Sequence, residues 1–119
     1  MYTFTGHASR VGCVMLSNGY LASGGDDAMI IIWDLANYNS VLSFRAHTMG
    51  VSGLCVLNNG DLVSSSTDGS IKIWDKDSFM LKRTLLGHGG RVNSLLLFNA
   101  ELLLSASMDQ TIKIWYPYD

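Results

Sequence analysis

Apolar residues along this chain come in short runs separated by polar turns. Ile30-Ile31-Ile32-Trp33, Ile71-Lys72-Ile73-Trp74 and Ile112-Lys113-Ile114-Trp115 are rich in β-branched and aromatic side chains. The latter two alternate apolar with polar, the period of two that lets a strand give one face to a core. The apolar runs at 51–57 and 92–98 are too short for helices. Turn chemistry follows the first strand-like run of each set: Ser17-Asn18-Gly19, Asn58-Asn59-Gly60 and Asn99-Ala100. Asn-Gly between two such runs is a strong hairpin signal, because both residues tolerate positive φ. Ala100 stands where the other two turns have glycine, which leaves the third turn's geometry open. Short strands about every ten residues predict an all-β chain.

The runs repeat as a set. Trp33, Trp74 and Trp115 are 41 and 41 residues apart, and His7, His47 and His88 are 40 and 41 apart. Asp27, Asp68 and Asp109 each stand six residues before a tryptophan, and Ser23, Ser64 and Ser105 four before the aspartate. Val11, Val51 and Val92 each follow a histidine by four. Five residue types recurring three times in one order define a repeat. Each repeat predicts four strands: the first at 11–16, 51–57 and 92–98, the second at 20–23, 61–65 and 101–105. The third holds the tryptophan, and the fourth lies at 41–44 and 81–85. The third repeat lacks a fourth strand of its own, and Tyr2-Thr3-Phe4-Thr5 precedes Gly6-His7 as Thr84-Leu85-Leu86 precedes Gly87-His88. The predicted units are therefore about 6–45, about 46–86, and about 87–119 together with strand 2–5, as in a circular permutation.

These residues resemble the WD-repeat β-propeller family across nearly the whole chain. Gly6-His7, Ala46-His47 and Gly87-His88 are similar to its Gly-His signature, and Trp33-Asp34 and Trp74-Asp75 to its Trp-Asp signature. The 40–41 residue period matches its blade length. Ala46 and Tyr116 depart from the pattern. The resemblance implies four-stranded antiparallel blades, three per chain, with the last completed by the N-terminal strand. It also implies that His7, Ser23, Asp27 and Trp33 hydrogen-bond within one blade, as do His47, Ser64, Asp68 and Trp74, and His88, Ser105, Asp109 and Trp115. Such chains satisfy polar groups that burial would otherwise strand.

Composition narrows the function. The chain has 119 residues, 48% of them hydrophobic, enough for one domain with a core. A net charge of −2 and a pI near 5.8 give no basic stripe for nucleic acid. No run of 18 apolar residues exists to cross a membrane as a helix, and residues 1–6 lack the features of a signal peptide. Cys13 and Cys55 are too few for a disulfide scaffold or a four-cysteine zinc site; both read as reduced thiols on inner strands of a cytoplasmic or nuclear protein. No metal or cofactor is expected.

His, Ser and Asp together invite a hydrolase reading. Against it, the set occurs three times, and no serine sits in a Gly-x-Ser-x-Gly elbow. A non-catalytic scaffold is the preferred expectation. Its alternatives are a purely structural self-assembly module or a fragment of a larger propeller, and, more weakly, a Ser-His-Asp hydrolase.

In the resembled family one rim is built from the loops between the fourth and first strands and between the second and third. The residues there that the internal chain leaves unused are Arg10, Asp26, Met49, Thr67, Arg91 and Met108. Arginine and methionine are enriched at protein interfaces, so a protein or peptide partner is expected. Closed propellers have about 4–8 blades, so three need completion. A homodimer is favoured for this, with a trimer or another chain as alternatives. Tyr116-Pro117-Tyr118-Asp119 breaks the Trp-Asp pattern and coincides with the opening of a haemagglutinin epitope tag.

Overall fold

The computed structural model describes residues 1–118, and the side chains of all of these except 13–17. Cys13 therefore lies outside the described side chains. Strands β1 (Val11–Ser17), β2 (Tyr20–Gly25), β3 (Met29–Asp34) and β4 (Asn39–Arg45) form one sheet in that order. Strands β5 (Val51–Val56), β6 (Leu62–Ser66), β7 (Ile71–Trp74) and β8 (Leu81–Leu85) form the second. The third holds β9 (Val92–Leu97), β10 (Leu103–Ser107) and β11 (Ile112–Trp115). All pairings are antiparallel between sequence neighbours.

Turn chemistry explains the hairpins. Asn18 and Gly19 both have positive φ (51° and 78°), the signature of a tight two-residue turn matched to strand twist. The second hairpin uses a longer turn, in which the Leu57 N–H donates to Asp61 O and Asn59 Oδ1 accepts from Asp61 N. The third solves the missing glycine differently. Asn99 Oδ1 accepts from both Glu101 N and Leu102 N, so a side chain organises the turn and Ala100 needs no positive φ.

The sheets stack face to face. Ile30 and Ile32 of the first sheet are buried in one cluster with Val51, Leu62 and Trp74 of the second. Cys55, Leu57, Val63, Ile71 and Ile73 of the second sheet are buried with Val92 and Leu103 of the third, and Leu95, Leu97 and Trp115 pack against them. Each fully buried aliphatic side chain contributes about 1.5–3 kcal/mol. Strands β1, β5 and β9 are successive neighbours from sheet to sheet, and β4, on the outside, is almost wholly exposed.

Residues 2–5 are not a strand, and they take no place in the third sheet of their own chain. Tyr2 instead stacks on Tyr38 (ring centroids 4.6 Å apart) and Phe4 packs on Trp33 (5.0 Å). The physical reason is distance around the stack: the first and third sheets lie on opposite sides of the second. The other end of the chain docks on the second sheet. Asn58 N donates to Tyr118 Oη, Arg83 donates to Tyr116 O, and Pro117 is buried; residue 119 lies outside the described residues.

Ala28, Gly69 and Gln110 occupy the same turn position, one residue after the repeated aspartate, with φ of 69°, 88° and 73°. Only glycine adopts this region without a Cβ penalty. Gln110 is exposed, so its side chain has no packing to lose. Gln110→Gly is expected to stabilise the chain by about 0.5–1 kcal/mol, read as a higher midpoint in urea unfolding.

Candidate functional site: a repeated hydrogen-bonded chain beneath a loop rim

The first and third sheets bring four distant side chains together in the same way. Trp33 Nε1 lies 2.9 Å from Ser23 Oγ, which lies 2.7 Å from His7 Nε2; His7 Nδ1 is 3.1 Å from Asp27 Oδ2. In the third sheet Trp115 Nε1 is 2.8 Å from Ser105 Oγ, Ser105 Oγ 2.6 Å from His88 Nε2, and His88 Nδ1 2.8 Å from Asp109 Oδ2. The antiparallel pairing of the second and third strands sets serine and tryptophan on adjacent strands, ten residues apart.

Donor chemistry orients the chain. An indole N–H can only donate, so the serine oxygen accepts from it and spends its own proton on His Nε2. A neutral histidine then carries its proton on Nδ1 and donates to the aspartate. The order Ser–His–Asp is that of a hydrolytic triad. Here, however, each serine is buried and its oxygen is engaged by a tryptophan.

The second sheet varies the theme. Trp74, Ser64 and His47 repeat the first two links at 2.9 and 2.7 Å, but His47 Nδ1 meets Ser70 Oγ at 2.9 Å. Ser70 Oγ donates to Asp68 Oδ1 at 2.6 Å, so a hydroxyl bridges histidine and carboxylate, which are 3.7 Å apart directly. Sequence reasoning missed Ser70. The available signal was a hydroxyl residue two positions after the aspartate, present as Ser70 and Thr111 and absent at Met29. It also missed Ser66 and Ser107, whose hydroxyls donate to Gly50 O and Arg91 O at 2.8 Å each and tie the two loops of the rim together. The first sheet has Gly25 there. A Cβ at Gly25 would lie 2.6 Å from Asp27 Oδ1 and 2.8 Å from His7 Nδ1, so the His7–Asp27 pair fills the space.

Burial and hydrogen bonding set the charge states. His47 is pushed down to about 4, mainly by burial; the Asp68 carboxylate opposes this and the Lys72 ammonium adds to it. Burial would raise Asp68, but hydrogen bonds from Ser70 and Thr48 and the nearby His47 prevail and hold it at about 2. Asp27 is likewise lowered: burial acts upward, and is outweighed by N–H bonds from Ala8 and Met29 and by His7. Asp109 is lowered by the Thr111 hydroxyl first, against desolvation, with His88 and the Gly89 N–H assisting.

Above these chains lies the rim. A backbone bond joins its two loops at the same place in every sheet: Asp26 N to Arg10 O (2.8 Å), Thr67 N to Gly50 O (3.0 Å) and Met108 N to Arg91 O (2.9 Å). Arg10, Asp26, Met49, Arg91 and Met108 are exposed, and Arg10 Nε contacts Asp26 Oδ2 at 3.1 Å in solvent. Thr67 is half-buried, its hydroxyl directed at Gly50 O. Gly50 takes the place of Arg10 and Arg91; a Cβ there would lie 3.2 Å from the Asp26 Cα of the preceding sheet, a tight contact. At the opposite end of the first two sheets a cleft of about 60 Å³ is lined by Tyr20, Ile32, Val56, Leu62, Lys76 and Phe79.

The profile described as "WD domain, G-beta repeat" (WD40) matches residues 1–34, 38–75 and 79–116. This chain belongs to the WD40 family. The second and third windows run from the outer strand of one sheet to the tryptophan strand of the next: 38–75 spans β4 to β7, and 79–116 spans β8 to β11. The three sheets are thus propeller blades. A structure of U3-55K and a crystal structure of RRP9 WD40 repeats are both similar, at 33% identity and a TM-score of 0.86 over 94% of this chain. The chain spans about a third of each of them (36% and 35%). No curated protein matches the chain.

Titration of His47 has a defined sign. The unfolded imidazole protonates near 6.5, and the folded one only near 4. Between those values the unfolded state binds the extra proton, so stability falls as pH drops through this window. Asp68 acts lower: its contribution is lost as pH falls from 3.8 through about 2. Denaturant midpoints measured from pH 7 to 4 are expected to decline. His47→Gln, less stable throughout, should lack most of that decline.

Proposed function

We propose that this WD40 chain is a non-catalytic scaffold whose loop rim binds a protein or peptide. The observation that carries this is the division of labour between the two layers. His, Ser, Asp and Trp are consumed inside each blade, while Arg10, Asp26, Met49, Arg91 and Met108 stand exposed on loops braced from below. The exposed residues differ from blade to blade, whereas the internal ones recur. Two exposed arginines and two exposed methionines on the same rim suit a partner with acidic and apolar side chains. Thr67 belongs to the rim as a brace. The repeat units 6–45, 46–86 and 87–119 each contribute one pair of loops, so the binding surface is composite. Free thiol at Cys55, buried and pushed up to about 11 by desolvation, fits a reducing cytoplasmic or nuclear setting.

The hydrolase reading requires an accessible serine oxygen, and the tryptophan N–H occupies that oxygen in all three blades. His88→Ala leaves Ser105 and Asp109 without their central partner, so it should destabilise the fold by about 1–3 kcal/mol. Ester turnover should be absent before and after the change; activity in the parent chain that disappears in the variant would support hydrolysis instead.

The rim itself is tested by affinity capture with quantitative mass spectrometry. Arg10→Glu/Arg91→Glu should lose specific partners at least tenfold, with the unfolding midpoint little changed since both side chains are exposed. Retention of every partner by the double variant would count against the rim.

A further inference from the structure

The loop pairs of the rim are built alike, so their charges can be compared place by place. The backbone bond that joins each pair runs from Asp26 N to Arg10 O, from Thr67 N to Gly50 O and from Met108 N to Arg91 O. The joined positions read Arg–Asp in the first blade, Gly–Thr in the second and Arg–Met in the third. Two blades thus carry an arginine at the same place, but the counter-ion differs. Arg10 Nε lies 3.1 Å from Asp26 Oδ2. The Arg91 side chain is exposed and makes no hydrogen bond or ion pair among the described residues.

Neighbouring carboxylates do not supply the missing charge. Asp109 is committed below the rim: one oxygen accepts from His88 and Gly89 N, the other from Thr111. Asp68 accepts from Thr48 on one oxygen and from Ser70 on the other. The preceding blade adds no charge either. Its turn at 66–70 lies against the loop before Arg91, since a Cβ at Gly69 would be 3.1 Å from both His88 O and Gly90 O. The same approach one blade earlier brings Asp26 to Gly50. At the place of Asp26 the second blade has Thr67, with its hydroxyl turned to Gly50 O. Arg91 is therefore flanked by Thr67 and Met108, both uncharged, and Met108 is 67% exposed.

We infer that Arg91 is the specificity-determining residue of the rim. It takes an aspartate or glutamate side chain of a protein partner, while an apolar residue beside that acid rests on Met108. This role rests on the scaffold reading and narrows it: Arg10 takes no part, because Asp26 already matches its charge. A planar guanidinium grips a carboxylate with two parallel hydrogen bonds. The flexible thioether of methionine adapts to apolar surfaces of different shape. One unmatched positive charge balances one carboxylate. A phosphate group brings about −1.5 to −2, and it would meet the Asp68 and Asp109 carboxylates beneath the rim, so a phosphorylated partner fits less well.

The test is selection of random phage-displayed peptides on the 119-residue chain, followed by fluorescence anisotropy of the selected peptides. They should share an aspartate or glutamate next to an apolar residue. Arg91→Gln should weaken their binding at least about tenfold. Arg10→Gln/Asp26→Asn, which removes the matched pair together, should change it less than about threefold. Peptides with lysine in place of the acid should bind Arg91→Glu better than they bind the parent chain. All three side chains are exposed, so unfolding midpoints should stay near the parent's. Peptides that are lost on Met108→Asp yet carry no acid, or that bind Arg91→Gln as well as the parent, would overturn the role of Arg91 and leave the rim as a binding surface. Tighter binding of a phosphoserine peptide than of its glutamate counterpart would overturn the carboxylate assignment. Peptides indifferent to Met49→Asp, Met108→Asp and Arg91→Gln alike, or no selected peptide at all, would overturn the rim reading and the role of Arg91 with it.

Discussion

A β-sheet with two apolar faces must have something laid against each of them, and this constraint organises the whole chain. A sheet of four short strands cannot bury its own side chains, so burial comes from the neighbouring blade. Ile30 and Ile32 are buried because the second blade covers them, and Ile71 and Ile73 because the third does. The same tetrapeptide in the third blade, Ile112 to Trp115, holds two isoleucines in solvent. Sequence is constant across that comparison and the neighbour is not, so the neighbour decides burial.

Stacking alone would allow sheets to slide, and the polar chains give each blade one arrangement. Tryptophan on the third strand, serine on the second, histidine before the first and aspartate in the turn are linked by hydrogen bonds of 2.6–3.2 Å in the first and third blades. Every link satisfies a group that burial would otherwise penalise. The second blade shows that the design tolerates an inserted hydroxyl. Ser70 relays the bond to Asp68, and burial shifts His47 there far enough down to keep it neutral well into acid.

The rim inherits its rigidity from this layer. Asp27 and Asp109, which accept from histidine, also accept from the backbone N–H of Ala8 and Gly89, and Asp68, reached through Ser70, accepts from Thr48, all at the foot of the loops that carry Arg10, Arg91 and Met49. Ser66 and Ser107 add a second tie between the two loops of each later blade. Side chains above this level are therefore free to vary in chemistry while their positions stay constant. The recurrence of histidine, serine and aspartate is accounted for by these hydrogen bonds within each blade.

Local chemistry was readable from the residues alone: strand period from Ile71-Lys72-Ile73-Trp74, the tight turn from Asn18-Gly19, the blade unit from a 41-residue spacing of tryptophans. Each depends on neighbours within a few positions or on simple repetition. The chain's similarity to WD40 proteins was legible for the same reason. What the residues could not disclose were relations between segments far apart. The role of Asn99 as substitute for a turn glycine, the insertion of Ser70 between His47 and Asp68, and the close approach of Asp26 to Gly50 all appear only when loops from different strands meet. Residues 2–5 make the point most clearly. Their resemblance to 83–86 marks them as an outer strand, yet a strand exists only beside a hydrogen-bonding partner, and the three-stranded sheet of this chain is on the far side of the stack. Period and turn type are set by local sterics and were determined by the sequence; burial and strand pairing depend on what lies across the gap, and the tertiary structure decided them.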